Sequence, residues 1–341
     1  MVTKVGLDLG YANITLGDVT AGIYREPSVA IVDKITGRIL SLGNEAIQWS
    51  EPGGLPVRPF KNGLLYSQEM TSAIIENAIK AILPADKIRC VVGLPSAFLA
   101  KQEKELFAMV RAAGVHEVFG VTRSVAALIG AGYAPTMSVI SVNVGAKSTD
   151  ISVLHEGKVI LKSTAEVGGE NFDIAVKQYI QEHGDVSVSL SVARAIKEKI
   201  GAVWEGREAE SIDIEGILSL TGNKVRMTLV SEDILGVFEK PLHALLFAIA
   251  DIVKKIPYEN VSEIFKNGIV LSGGGAMLYG LDKMIAKVLD IPTTLAKTPI
   301  DCVAKGLSRI NTFLPVKMYS NEKNITAQLT KYYQNKKKNP T

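Results

Sequence analysis

The chain is poor in cysteine. Cys90 and Cys302 are its only two, far apart and each in apolar surroundings. That argues against a disulfide-stapled secreted fold and for buried thiols in a reducing compartment. Long hydrophobic runs are missing too. No stretch offers the roughly 20 apolar residues that a membrane-spanning helix requires. No basic segment followed by an apolar one, of the kind that directs secretion, opens the chain. The expectation is a cytoplasmic protein. Excess charge of one sign is also lacking. The 38 Lys and Arg against 35 Asp and Glu leave a formal charge of +3, too little to imply direct binding to nucleic acid. What is present is an ordinary globular composition, 47% hydrophobic and 21% charged over 341 residues. That is long enough for two domains.

The chain is organised around Ile140 to Leu154, ISVNVGAKSTDISVL. Two Val- and Ile-rich runs flank a short polar turn, the pattern of a β-hairpin. Gly145 lets backbone N–H groups approach a ligand, Ser148 and Thr149 add hydroxyls, and Lys147 adds charge. Successive N–H groups in such a turn form a concave anion site. The N-terminal stretch VGLDLGYANITLG repeats the design, with Asp8 and Gly10 matching Asn143 and Gly145. Two related hairpins suggest a duplicated architecture, able to clamp a polyphosphate and its metal between two lobes.

Between and after the hairpins, the periodicity predicts helices over residues 67–82, 100–113, 125–133, 174–182, 192–203, 242–256 and 281–289. A Thr36-Gly37 turn joins two early strands, and the Pro- and Gly-bearing stretch from Trp49 to Pro59 reads as a loop. Ile88 to Leu94 (IRCVVGL) reads as a continuous apolar run but for Arg89, as expected of a central strand covered on both faces. Gly168-Gly169-Glu170 precedes a helix, where bare N–H groups and the helix dipole favour an anion. Lys197 and Glu198 read by themselves as a solvated face. A buried strand runs into Gly273-Gly274-Gly275, a junction on which a flat ring or a phosphate can lie. The polar, basic tail from Tyr319 reads as a disordered solvated end.

These stretches together resemble the actin/Hsp70/sugar-kinase ATPase superfamily, and within it the bacterial actins of the MreB type. The likeness runs from Lys4 to about Leu307. It is carried by VGLDLGYAN, REPSVAIV, VRPFKNGLL, VGLPSA, SVAALIGAG, STDISVL, GGENFD, IKEKIG, GIVLSGGGAMLYGLDK and PIDCVAKG. It implies an α/β fold of two lobes, each RNase H-like with a small insertion. Lobe I would span 1–139 with an insertion near 33–65, and lobe II 140–310 with one near 182–241. Residues 311–341 would return to lobe I and end in the basic tail. The resemblance also implies ATP or GTP with Mg²⁺ in the cleft. Asp8, Gly10, Tyr11, Ala12 and Asn13 resemble the first phosphate loop, with Asp8 reaching the metal through water. Gly145, Ala146, Lys147, Ser148 and Thr149 resemble the second. Gly168, Gly169 and Glu170 would lie near the nucleotide. Lys197, Glu198 and Gly201 would flank adenosine with Gly273, Gly274, Gly275 and Met277.

Two positions depart from the family pattern. Arg123 stands where MreB-type proteins carry a water-orienting Glu, and Asn143 where the second hairpin carries Asp. Arg123 cannot accept a proton at neutral pH and Asn143 cannot serve as a base. Asp8 and Asp150 remain as candidate catalytic groups, and Lys147 or Arg123 can stabilise phosphate charge instead. The expectation is retained nucleotide binding with weak hydrolysis. The expected role is a filament-forming, cell-shape or scaffold protein whose partner is itself. The alternatives are a plasmid- or organelle-positioning filament and a non-polymerising ATPase or chaperone-like module. Ile82 and Leu83 are the candidates for contact with the inner membrane surface.

Overall fold

The structure, a computed structural model, describes residues 2–19, 22–61, 64–65, 67–81, 87–314 and 322–338. β1 (Thr3–Leu9), β2 (Asn13–Asp18) and β3 (Gly22–Pro27) form an antiparallel meander. β4 (Ala30–Asp33), β5 (Ile39–Leu42), the short helix α1 (Gly43–Ile47) and β6 (Gly54–Val57) follow, with the strands ordered β5-β4-β6 in a small sheet. β7 (Phe60–Lys61) pairs with β8 (Leu64–Leu65). The chain then passes through α2 (Gln68–Lys80), β9 (Ile88–Leu94), α3 (Ala100–Ala112), β10 (Glu117–Thr122) and α4 (Arg123–Gly130). β9 joins β1 in parallel, and β10 joins β9.

The same plan then recurs. β11 (Val139–Val144), β12 (Thr149–His155) and β13 (Lys158–Ala165) form a second antiparallel meander. α5 (Gly169–Gly184) leads to β14 (Val186–Ser187), α6 (Leu190–Ile200), β15 (Ser211–Leu218) and β16 (Lys224–Val230), whose strands make another small sheet. α7 (Glu239–Val253) and α8 (Tyr258–Asn267) precede β17 (Ile269–Ser272), α9 (Leu281–Leu289) and β18 (Thr293–Leu295). β17 is parallel to β11, and β18 to β17. The last elements are α10 (Cys302–Phe313), β19 (Glu322–Asn324) and α11 (Leu329–Lys338). The two main sheets run β19-β10-β9-β1-β2-β3 and β13-β12-β11-β17-β18. Each thus joins a three-strand meander to parallel strands at its first strand, and the duplication seen in the two hairpins extends to whole sheets.

The burial pattern explains why these segments take these places. β9 and β11 are buried at every residue, as strands sandwiched between layers must be. One core cluster packs α2 and α3 on the first sheet, and a second fills the layer around β11, α5 and α7. A third lies between the sheets and draws on both: Val91, Phe119 and Val121 meet Val139, Leu154 and Val270 around α4 and α10. α10 rests on the first sheet, where Asn311 Nδ2 donates to the carbonyls of Val5 and Arg89 at 2.9 and 3.0 Å. The return to the first sheet therefore starts at Cys302, ahead of the expected residue 311.

Several local expectations need correction. The stretch read as a loop contains β6, an edge strand that tolerates Pro56 because its outer N–H has no ladder partner to lose. The tail is ordered at β19 and α11, with Ile325 and Leu329 0% and 1% exposed. Two apolar residues spaced four apart anchor an otherwise polar segment, too sparse a signal for composition to reveal. α5 begins at Gly169, ahead of the expected Ile174. α7 runs Glu239–Val253, starting and ending three residues ahead of the expected 242–256, and a short 3₁₀ turn at Ser231–Ile234 precedes it. Ile82 and Leu83 lie outside the described residues.

Candidate functional site

The two hairpin turns have the same internal geometry. The Gly10 N–H donates to the Asn13 carbonyl at 2.9 Å, and the Gly145 N–H donates to the Ser148 carbonyl at 2.9 Å. A Cβ on Gly10 would stand 2.8 Å from the Asn13 oxygen, and one on Gly145 2.9 Å from that of Ser148. Glycine is therefore required at both places by close approach of the chain to itself. Among the described residues, the N–H groups of Tyr11, Ala12, Ala146 and Lys147 donate to no protein acceptor. Each turn thus presents adjacent bare donors, the arrangement that receives phosphate oxygens. Lys147 links the turns, its Nζ standing 5.3 Å from the centre of the Tyr11 ring.

The charged groups around the turns are paired with one another. Arg123, the first residue of α4, donates from Nε to Asp8 Oδ1 at 2.9 Å and from Nη2 to the Leu9 carbonyl. Burial pushes the Asp8 carboxyl above its ordinary value, while the guanidinium pulls the other way. Asp150, opposite Asn143 in the second hairpin, accepts from the Ser96 N–H at 2.8 Å and the Thr164 hydroxyl at 2.6 Å. Asn143 Oδ1 accepts from the Ser272 hydroxyl at 3.3 Å. Lys147 is 2.6 Å from Glu170, whose hydrogen bond raises the lysine above its ordinary value. The arginine at 123 and the lysine at 147 therefore place two cations in the cleft.

The glycine stretches act differently from expectation. The N–H groups at the start of α5 are already engaged. Gly168 donates to Asn171 Oδ1, Gly169 to the Gly145 carbonyl and Glu170 to the Ala146 carbonyl, at 2.9, 2.9 and 2.8 Å. The last two brace the second turn, and none of the three stands open for an anion. A Cβ on Gly168 would meet the Gly145 and Ala146 oxygens at 2.7 Å, so glycine there permits the bracing. A Cβ on Gly275 would reach Val144 Cγ1 at 2.6 Å. Gly273 and Gly275 after β17 are thus needed for packing against the end of β11, and the run places Gly275 beside Gly169. Lys197 is not solvated. It pairs with buried Asp173 at 2.6 Å and donates to the Gly169 carbonyl at 3.1 Å, while Glu198 is exposed. The fold thus gathers Asp8, both turns, the start of α5, Lys197 and the glycine run around one cleft.

Four residues escaped the sequence reading. Ser96 and Thr164 hold Asp150, and Asp173 holds Lys197 and Arg194. Arg58 donates to the carbonyls of Tyr11, Ala12 and Ser28 at 3.1, 3.2 and 3.3 Å, fixing the first turn from the small sheet's side. Arg58, Ser96 and Asp173 fall in the VRPFKNGLL, VGLPSA and GGENFD stretches, but their partners in the site were not legible there, and Thr164 had no signal.

A divalent ion beside Asp8 does not fit this donor set. Oδ1 of Asp8 is taken by a guanidinium whose charge repels a cation, Asn143 brings no charge, and Oδ1 of Asp150 already accepts two donors. Among the described residues no three acidic, histidine or cysteine side chains converge to hold a metal.

The sequence profile of the MreB/Mbl protein family matches residues 2–316. The cell shape-determining protein Mbl of Bacillus cereus is 30% identical over 312 residues, covering 89% of this chain and 93% of that protein. The cell shape-determining protein MreB of Escherichia coli K12 is 28% identical over 316 residues, covering 89% and 91%. Among solved structures, MreB5 of Spiroplasma citri bound to AMPPNP superposes with a TM-score of 0.85 at 21% identity, covering 92% of this chain and 96% of that one. A MamK double helical filament gives 0.78 at 22% identity, covering 92% and 100%.

Proposed function

The chain belongs to the MreB/Mbl protein family, and from that premise we propose that it is a nucleotide-binding, actin-like cytoskeletal protein that assembles into filaments with a cell-shape or scaffold role. The observation that carries this reading is the pair of matching glycine turns, each with adjacent N–H groups that have no acceptor among the described residues. A phosphate chain gripped by both turns would tie the two sheets together and fix the angle between the lobes, 1–139 and 140–310. Subunits held at one angle present one surface to the next copy, which favours regular stacking. The relatives named for cell shape and the neighbour solved as a double helical filament support assembly as the output. The AMPPNP and ADP in the MreB5 structures support an adenine nucleotide as the ligand.

Hydrolysis is slow in this reading. The place of the water-orienting carboxylate is taken by Arg123, which is committed to Asp8 and Leu9. Loss of a positioned base costs roughly two to four orders of magnitude in rate. Membrane attachment through Ile82 and Leu83 is a subsidiary reading. Equal flotation of the parent and an Ile82→Ser/Leu83→Ser variant with liposomes retires it. The main test pairs calorimetry with adenine nucleotides and electron microscopy of the nucleotide-loaded protein. Binding with filaments is the expected result. Absence of any nucleotide binding sinks the proposal, and a nucleotide-loaded protein that stays monomeric at high concentration sinks the assembly part. Phosphate release at a rate usual for bacterial actins would refute slow hydrolysis.

A further inference from the structure

We infer that the nucleotide site works without a divalent cation, because Arg123 supplies a fixed positive charge beside Asp8. The inference rests on the nucleotide reading above and concerns the form in which the nucleotide binds.

Arg123 is a built-in part of the site rather than a surface group that happens to reach it. It is 8% exposed, and two groups of β1, the Asp8 carboxylate and the Leu9 carbonyl, hold its guanidinium. The Phe60 ring lies 5.9 Å from the guanidinium carbon. A guanidinium keeps its proton at any pH the fold survives, and its planar fork suits phosphate oxygens. A metal ion bound to Asp8 Oδ1 would have to displace this partner, leaving a buried arginine without its counter-charge. Otherwise it would sit beside a like charge in a site of low dielectric.

The other groups that could compensate a metal point the same way. Asn143 is neutral, and its oxygen takes the Ser272 hydroxyl. Asp150 Oδ1 accepts two donors already. On the far side of the cleft, Lys147 adds a second cation at the second turn, with its side chain 45% exposed and able to swing toward phosphate. One cation is fixed under the first turn and one is adjustable at the second. Two side chains so placed can neutralise a phosphate chain from both lobes. The ligand would then be the free nucleotide anion rather than its metal complex.

The test is calorimetry of the full chain with ADP and with AMPPNP, in excess Mg²⁺ and in excess EDTA. The expected result is affinities that agree within about threefold between the two buffers. Arg123→Gln, which keeps bulk and loses charge, should lose at least about tenfold in EDTA and regain most of it with Mg²⁺. Arg123→Lys should remain tolerant of EDTA. A parent protein that binds only with Mg²⁺ overturns the inference and leaves the nucleotide reading standing. Equal binding of Arg123→Gln and the parent in EDTA overturns the role of Arg123. Binding in neither buffer overturns both. The parent comparison decides the matter even if a variant fails to fold.

Discussion

Gly130 of α4 and Gly306 of α10 lie back to back. A methyl group on Gly130 would stand 2.9 Å from the Gly306 nitrogen, and one on Gly306 would stand 3.0 Å from the Gly130 nitrogen. The two helices therefore meet backbone to backbone in the layer between the main sheets. Arg309 of α10 adds a bond to the Ile129 carbonyl at 2.9 Å. α10 also lies on the first sheet at Gly6 and Gly17, where a Cβ would meet Leu307 Cβ and the Ala304 carbonyl at 2.6 Å each. The crossing is held on both sides by residues without side chains. Gly306→Ala should force the helices apart and cost about 1–3 kcal/mol, the usual range for an overfilled core. The thermal midpoint should fall by several degrees. An unchanged midpoint would mean that the contact gives way freely.

Lys147 bears on function rather than stability. Removing its amine leaves the Glu170 carboxylate, 10% exposed, facing the second turn alone. Lys147→Ala should weaken nucleotide binding by about ten- to a hundredfold, the scale of a lost charge-assisted contact plus a newly unpaired anion. Thermal stability should fall less than binding, because the lysine end of the pair is half exposed although the Glu170 carboxylate loses its partner. The Glu170 hydrogen bond raises the lysine, so its positive charge persists to higher pH than that of a free lysine. Nucleotide affinity should therefore stay level from neutral to mildly alkaline pH. Calorimetry checks both points, and a Lys147→Ala protein that binds like the parent would remove the second turn from the grip.

What could be read from the chain alone followed the range of the interaction. The two turns were legible because each is closed by a bond spanning three residues, Gly10 to Asn13 and Gly145 to Ser148. The strand at Ile88 to Leu94 was legible as a nearly apolar run; its one charged residue, Arg89, is buried against Glu117 of β10 at 2.6 Å, a partner the run itself does not show. The Asp8–Arg123 pair was not legible, because its members are 115 residues apart and meet only when β1 and α4 adjoin. Lys197 was misread as solvated because its partner Asp173 sits on another helix. The N–H groups at 168 to 170 were read as open donors, yet that of Gly168 goes to Asn171 and those of Gly169 and Glu170 go to carbonyls of the second turn. The likeness to a family supplied the candidate residues, and only the packing revealed which donors and charges among them are already engaged.

Both thiols should be inert in the folded protein. Cys90 and Cys302 are each 0% exposed, and the Cys302 thiol donates to the Thr298 carbonyl at 3.3 Å. Burial raises both, Cys302 from 9.0 to about 11. A raised thiol means that the folded state favours the neutral form. That contribution is whole below the free-thiol value and is lost as pH climbs through the folded one. Stability should therefore decline between pH 9 and about 11. At pH 8, a thiol reagent should label the native protein far more slowly than the denaturant-unfolded chain. Rapid labelling of Cys302 alone would report opening of the layer that holds α4 and α10.

The C-terminal segment should prove structural. β19 extends the first sheet beside β10, and Ile325 and Leu329 enter the layer between the sheets. Thr326 accepts from the Thr122 N–H at 2.9 Å, and Thr330 donates to the Gly157 carbonyl at 2.5 Å, so the segment touches both halves of the fold. A chain ending before Glu322 loses these bonds and uncovers the apolar surface beneath them. Two fully buried aliphatic side chains contribute about 3–6 kcal/mol together. The denaturant midpoint should drop accordingly, whereas a stop after Lys338 should leave it unchanged. Leu329→Asp separates burial from length: it keeps every residue, places a charge among Val91, Phe119 and Leu307, and should destabilise nearly as much as the truncation. Equal midpoints for all three proteins would assign the segment no part in holding the sheets together.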